Sequence, residues 1–210
     1  RAKLESNGSE EFIGCDISNA TCIDTFIDVF GKKTFRRPVE DGEHQRLRAL
    51  YDDVVLSEGV NPAIAALVQA MILSPRFGFH VEDQSENGEI DSWSIASRMS
   101  FFLWSSAPDE ELFAAAGSNT LFDPKVREEQ ARRMLKEPKA RESVVRFYRE
   151  LLDLDILDAL APLPASYPEW TETLRTEISA ETDRFVEATV FEQDGSPKDL
   201  LTSRWVEAGP

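Results

Sequence analysis

At 210 residues, with 41% apolar and 30% charged side chains, the chain can bury a real core, which excludes intrinsic disorder and removes any need for disulfides to hold the fold. Against 39 acidic residues stand 23 basic ones, and the formal net charge of −16 repels phosphate, excluding nonspecific binding to nucleic acid or anionic lipid. No stretch approaches the ~20 consecutive apolar residues of a membrane span, and the opening Arg1-Ala2-Lys3-Leu4-Glu5 lacks the apolar core of a signal peptide, although a signal removed earlier is compatible with it.

Residues 1–20 read as an irregular leader that opens on the flexible Ser6-Asn7-Gly8-Ser9. Cys15 and Cys22, the only cysteines, flank a stretch with Gly14, Asp16, Ser18 and Asn19 that can bend them together. A disulfide is the favoured reading, suited to a periplasmic or extracellular protein; two reduced, unrelated thiols are the alternative. A zinc site lacks its four ligands, since the only histidines, His44 and His80, are far apart in sequence.

From Thr21 helical spacing begins. Ile23, Phe26, Ile27 and Phe30 mark a first helix, for which Gly31 offers a stop. Phe35-Arg36-Arg37-Pro38 is a breaker, and Glu40-Asp41 suits the positive end of the next helix, whose face carries Leu47, Leu50, Tyr51 and Val54. Asn61-Pro62 signals a further start, followed by Ile64, Leu67, Val68, Met71 and Ile72 and ended by Ser74-Pro75. Phe77, Phe79 and Val81 then alternate with Gly78 and His80, the one strand-like pattern, which without a partner strand reads as a short extended segment packed on helices. A polar loop follows through Gln84-Ser85-Glu86-Asn87-Gly88.

Ser92 to Ser105 is apolar around most of its circumference, through Trp93, Ile95, Ala96, Met99, Phe101, Phe102, Leu103 and Trp104, with a polar stripe of Ser94, Ser97, Arg98 and Ser105. This predicts a central, buried helix. Asp109 with Glu110-Glu111, and Asp123-Pro124, open two more. Pro138 precedes a helix with Val144, Val145, Phe147, Tyr148, Leu151 and Leu152; Pro162, Pro164 and Pro168 mark a linker; and a last long helix is expected from about Glu169 to Glu192 with Trp170, Leu174, Ile178, Phe185 and Thr189 inward. The tail Leu200, Leu201, Trp205 and Val206 is apolar and suited to docking.

The expected fold is all-α: an irregular bundle of about seven to eight helices around the central apolar one, with at most one short extended segment. Its parts are a leader (1–20), an N-terminal helical subdomain (21–75), a central helical domain (76–153), a Pro-rich linker (154–168) and a long C-terminal helix with its tail (169–210).

The candidate chemistry is sparse. His80, in an aromatic segment, reads more readily as a packed residue than as a metal or axial ligand, and His44 as a solvated helix face. Glu177 and Glu181 share a helical face, the spacing of carboxylate metal sites and acid/base pairs, but Arg184 offers to neutralise Glu181 and favours a structural role. A buried Arg98–Glu181 ion pair would satisfy two charges near apolar faces. Asp153, Asp155 and Asp158 could offer oxygens to calcium but lack the glycine and terminal glutamate of an EF-hand. Trp93, Phe101, Phe102 and Trp104 read as core before they read as a ligand pocket. No haem-attachment, phosphate-loop, nucleophile-elbow or zincin motif is present in the sequence, and no cofactor is expected.

Three phrases carry a resemblance: Phe35-Arg36-Arg37-Pro38-Val39 before an acidic helix; Ala70-Met71-Ile72-Leu73-Ser74-Pro75-Arg76-Phe77; and Ile95-Ala96-Ser97-Arg98-Met99-Ser100-Phe101-Phe102-Leu103-Trp104 with Pro108-Asp109-Glu110-Glu111-Leu112. Arg132-Arg133-Met134-Leu135 and the Glu181-Thr182 helix follow in the same order. Over about residues 20–203 the chain resembles the consecutive unknown-function helical domains of large secreted planctomycete and myxobacterial proteins, often joined to cytochrome c-like modules. The resemblance implies export and redox chemistry on attached modules, with further domains following the C-terminal end, and it carries over no catalytic residue. The leading expectation is therefore an exported scaffold or interaction portion of a cytochrome-associated assembly. Its partner would be another protein, a haem protein among the candidates, or the missing C-terminal domains. The alternatives are an oxidoreductase or carboxylate-metal enzyme using Glu177, Glu181 or His80, and a surface calcium- or carbohydrate-binding module.

Overall fold

The computed structural model of the protein describes residues 12–16, 19, 21–84, 88–154, 156–160, 165–193 and 195–204, the side chains of Leu157 and Asp158 excepted. The opening Ser6-Asn7-Gly8-Ser9, the loop residues Ser85-Glu86-Asn87, Asp155, the linker prolines Pro162 and Pro164, and the tail residues Trp205 and Val206 lie outside the described residues. The fold is all-α: eight helices of seven or more residues and, among the described residues, no strand. The chain forms two compact units, Arg1–Phe101 with Ser106–Arg127, and Phe102–Ser105 with Glu128–Pro210.

The first unit is built on α1 (Cys22–Phe35), α2 (Asp41–Glu58) and α3 (Val60–Ile72). Their apolar stripes meet in a core where Ile27, Ile64, Leu67 and Met71 are fully enclosed, with Ile23, Phe26, Phe35, Leu47 and Tyr51 around them. Each such side chain contributes about 1.5–3 kcal/mol relative to exposure. The Cys15–Cys22 disulfide ties the preceding segment to the start of α1, and Phe12 lies against Phe26 and Phe30 with ring centroids 6.0 and 6.3 Å away.

Gly31 does not stop α1. It lies inside the helix, where the lack of a side chain lets Val39 pack against the backbone; an added Cβ would collide with Val39 Cγ2. The stop comes at Arg36, whose φ of 61° is left-handed. Helix α2 begins as expected, with the Glu40 N–H donating to the Glu43 carboxylate at 3.0 Å. Gly59, at φ 88°, both ends α2 and opens α3, so α3 starts before Asn61-Pro62 and Pro62 falls in its first turn, where a missing N–H costs nothing.

The strand-like alternation after Ser74 is resolved differently. The Ser74 hydroxyl accepts the Arg76 N–H at 3.3 Å and Pro75 occupies the first helical position, so Pro75–Gly78 forms a single helical turn, α4. Only from Phe79 is the chain extended, ending in an isolated antiparallel bridge between Gln84 and Ile90. Helix α5 (Ser92–Trp104) is not the uniformly buried axis that its composition suggests. Ser92, Ser94, Ala96 and Ser100 are its buried residues together with Trp104, while Phe102 is 84% exposed. Small side chains face inward because they allow close helix approach, and the bulk is displaced outward. Asp109 caps α6 (Glu110–Gly117) by accepting the Leu112 N–H at 2.9 Å, and Asp123 accepts the Lys125 N–H at 2.8 Å at the start of α7 (Pro124–Met134).

In the second unit the indole N–H of Trp104 donates to the Met134 carbonyl at 2.9 Å, and Arg133 and Lys139 lie over the Trp104 ring at 5.6 and 5.2 Å. Helix α8 (Pro138–Leu151) packs on α10 (Glu172–Glu187), with an ion pair in which Arg149 reaches both Asp183 oxygens at 3.1 Å; Ala140 and Ser143 are its buried residues, and the Ser143 hydroxyl donates to that of Ser105 at 3.1 Å. It ends in a Schellman motif: the Leu154 N–H donates to the Arg149 carbonyl at 3.0 Å and the Asp153 N–H to that of Glu150 at 3.2 Å, with Asp153 at φ 51°. Between α8 and α10 lies the short turn α9 (Ile156–Ala159). Helix α10 starts later than Glu169 because Thr171 caps it, accepting the Leu174 N–H at 3.1 Å, and Leu174 itself is exposed rather than inward. A π-helical turn, Ala188–Glu192, with buried Thr189, and the six-residue α11 (Pro197–Thr202) complete the unit.

Candidate functional site

The densest polar construction in the first unit is made by residues that the sequence presents only as a helix breaker and its neighbours. Arg36 and Arg37 are each 7% exposed. The left-handed turn at Arg36 sends its guanidinium across to α4: one terminal nitrogen donates to the carbonyls of Thr34 (3.4 Å) and Phe77 (3.3 Å), the other to those of Arg76 (2.6 Å) and Phe79 (2.9 Å). These carbonyls lie at the C-terminal ends of α1 and α4, where unpaired acceptors and the negative end of the helix dipole favour a cation. The Phe101 ring lies 5.6 Å from the same guanidinium.

Arg37 does the opposite work, pairing with acids. It forms a two-pronged pair with Glu43, both bonds 2.9 Å, donates to the Pro38 carbonyl at 2.8 Å, and through Nε reaches Asp83 at 3.2 Å. Arg76 binds both Asp83 oxygens at 2.7 and 2.6 Å. The Asp83 N–H donates to the Ser94 hydroxyl at 3.0 Å, and the Ser94 N–H to Asp91 at 2.7 Å, so one network joins the α1–α2 turn, α4 and the start of α5.

Burial opposes the charged forms of Arg36, Arg37 and Glu43, and the partners decide the outcome. Burial holds the Arg36 pKa below its ordinary value. For Arg37 burial pulls the same way, but the Glu43 hydrogen bond and the charges of Glu43, Glu40 and Asp83 raise its pKa above the ordinary value. Glu43 loses water too, yet the bonds from Arg37 and the Glu40 N–H, with the charges of Arg37 and Arg76, hold its carboxyl below the ordinary 4.5. These groups are committed to one another, and what they do chemically is fix the geometry of three helices.

A second feature is apolar. A groove of about 590 Å³ runs between α2 and α3, lined by Val54 and Glu58 from one helix and Pro62, Ala65, Ala66, Val68, Gln69 and Ile72 from the other, with Leu73 at its end. Leu73 is 73% exposed and Ile72 43%. Glu58 is the one charged residue in its lining.

The residues singled out in the sequence fall elsewhere. His80 is exposed, its ring edge-on to Phe101 at 4.2 Å. Glu177 and Glu181 lie on α10 in the second unit, where Arg184 reaches Glu177 at 3.6 Å. Arg98 is 60% exposed and paired with Glu82 at 3.4 Å, so the polar stripe of α5 opens to water at this position. Asp153 serves the C-terminal turn of α8. Trp93 packs beside Phe113 at 6.1 Å with Lys32 above both rings. Among the described residues no group of three or more His, Cys, Asp or Glu side chains is placed to hold a metal ion, and no helix is long and apolar enough to cross a membrane. The signal for the arginine network was present in the sequence as two adjacent arginines directly after the apolar Phe35, a position where a merely solvated charge is out of place.

Compared with known proteins, residues 22–82 match the family model PSD5, described as a protein of unknown function (DUF1595), and residues 90–209 match PSD4, described as a protein of unknown function (DUF1592). No curated protein and no solved structure matches the chain. The arginine network and the groove fall almost wholly within the first match; the second spans more than half of the chain, which therefore belongs to the DUF1592 family of unknown function, preceded here by a DUF1595 domain.

Proposed function

We propose that the protein is a non-catalytic interaction module of an exported assembly, seating an apolar helix of a haem-carrying partner in the α2–α3 groove. The observation that carries this reading is the groove itself: about 590 Å³, lined by apolar residues except Glu58 and Gln69, and edged by exposed Ile72 and Leu73. Its dimensions and lining suit the apolar face of a helix. The Cys15–Cys22 disulfide supports an oxidising compartment. The net charge of −16 favours encounter with a cationic partner. The haem-carrying nature of the partner rests on the resemblance to secreted domains joined to cytochrome c-like modules.

Ala66→Glu tests it, because Ala66 lines the groove without belonging to the enclosed core. Isolated gently from its native assembly, the wild-type protein retains a haem-absorbing partner and the variant loses it at unchanged helix content. Equal retention of haem by the two proteins contradicts the reading.

A further inference from the structure

We infer that the α2–α3 groove is polarised and takes its partner helix one way round. A Lys or Arg at one end of that helix pairs with Glu58 beside the Gly59 turn, and its apolar face runs from there towards Leu73. This pairing rests on the reading of the groove as an interaction surface, and it adds the residue that sets the partner's sequence and orientation.

The two walls of the groove are unequal. The α3 wall runs from Pro62 to Leu73, a length of about 16 Å at ~1.5 Å per residue, which accommodates about three turns of a helix laid along it. The α2 wall is contributed by Val54 and Glu58, so one of its two residues is a carboxylate. Glu58 precedes the Gly59 turn and Pro62 follows it, which puts the charge at that end of the groove. Exposed Ile72 and Leu73 form the other end, and it is apolar.

The position of Glu58 in its helix deepens the negative potential there. It is the last residue of α2, where carbonyls without intrahelical partners carry the negative end of the helix dipole, and the last turn holds no basic residue. An acid is disfavoured at such a position in an isolated helix. Among the described residues no cation pairs with Glu58. A partner's ammonium or guanidinium group set against this end meets both the carboxylate and the terminus of α2. A partner helix without a cation would strip water from Glu58 and return no counter-charge, which selects against it.

The test uses the protein expressed in its native host with a photo-activated cross-linking side chain at Pro62 or at Leu73, one at each end of the groove. Peptide mass spectrometry maps the Pro62 adduct to a partner segment with Lys or Arg within about one helical turn, and the Leu73 adduct to an apolar stretch of the same helix. Glu58→Lys lowers the yield of both adducts by about tenfold, and Glu58→Gln lowers it by less. The Tm of each variant equals or exceeds that of the wild type, because either substitution relieves the end of α2. Full adduct yield in Glu58→Lys overturns the pairing, as does a fall in Tm, or a Pro62 adduct on a segment without a basic residue or on a second copy of this chain. If Ala66→Glu abolishes both adducts and Glu58→Lys neither, the groove docks a helix and the pairing with Glu58 is wrong. If Ala66→Glu leaves both adducts, the reading of the groove fails and the pairing fails with it.

Discussion

Arg37 and Glu43 clasp each other through two parallel hydrogen bonds of 2.9 Å across the turn that joins α1 to α2. Their side chains are only 9% and 15% exposed, so removing either leaves the other as an uncompensated charge away from water. Arg37→Ala and Glu43→Ala each lower the unfolding free energy by about 3–5 kcal/mol in urea denaturation. Arg37→Lys recovers little of this, because an ammonium cannot reproduce the fork that meets Glu43 and Asp83 together. A loss below about 1 kcal/mol, the range of solvated pairs, contradicts a structural role for the pair.

The same pair sets a pH dependence. Glu43 has a carboxyl held below its ordinary value of 4.5 in the folded protein, so the unfolded chain binds its proton more readily. Its contribution is therefore complete above about pH 4.5 and is lost as pH falls through the lower folded-state value. In urea midpoints measured from about pH 6 to about pH 3, Glu43→Gln shows a flatter acid limb than the wild type. Parallel acid limbs in the two proteins would contradict this origin.

Gly31 makes a claim about packing that is separable from charge. Gly31→Ala improves intrinsic helix propensity by about 1 kcal/mol, yet its Cβ meets Val39 Cγ2. Overpacking costs about 1–3 kcal/mol and prevails if the Val39 side chain cannot retreat. The expected result is a lower Tm for Gly31→Ala that is relieved, relative to the Val39→Ala single variant, when the two substitutions are combined. Additive effects would mean that the contact is not the cause.

How far the sequence could be read depends on the range of the interaction that decides each feature. Asp109 and Asp123 announce their helices because a cap needs only the next two or three residues. Gly31 and Asn61-Pro62 mislead for the opposite reason: Val39, eight residues on, makes a glycine useful inside α1, and the turn at Gly59 starts α3 before the proline signal. Arg36 reads locally as a breaker, and it is one, but its guanidinium acts on carbonyls some forty residues away, a relation that periodicity does not encode. The apolar character of α5 was visible, whereas which residues face inward was not, since close approach placed Ser94 and Ser100 inside and Phe102 outside. The Cys15–Cys22 bond was legible because spacing and turn-forming residues left few other outcomes. The groove was hidden because Val68 and Ile72 follow the same periodicity as the enclosed Leu67 and Met71.

The central claim is that the α2–α3 groove is an interaction surface for a haem-carrying partner. A photo-activated cross-linking side chain at the exposed groove residue Gln69, introduced into the protein expressed in its native host, tests it most directly. The account predicts one dominant covalent adduct that carries haem and that disappears when Ala66→Glu is added. An adduct without haem, or a haem adduct that Ala66→Glu leaves at full yield, would contradict it.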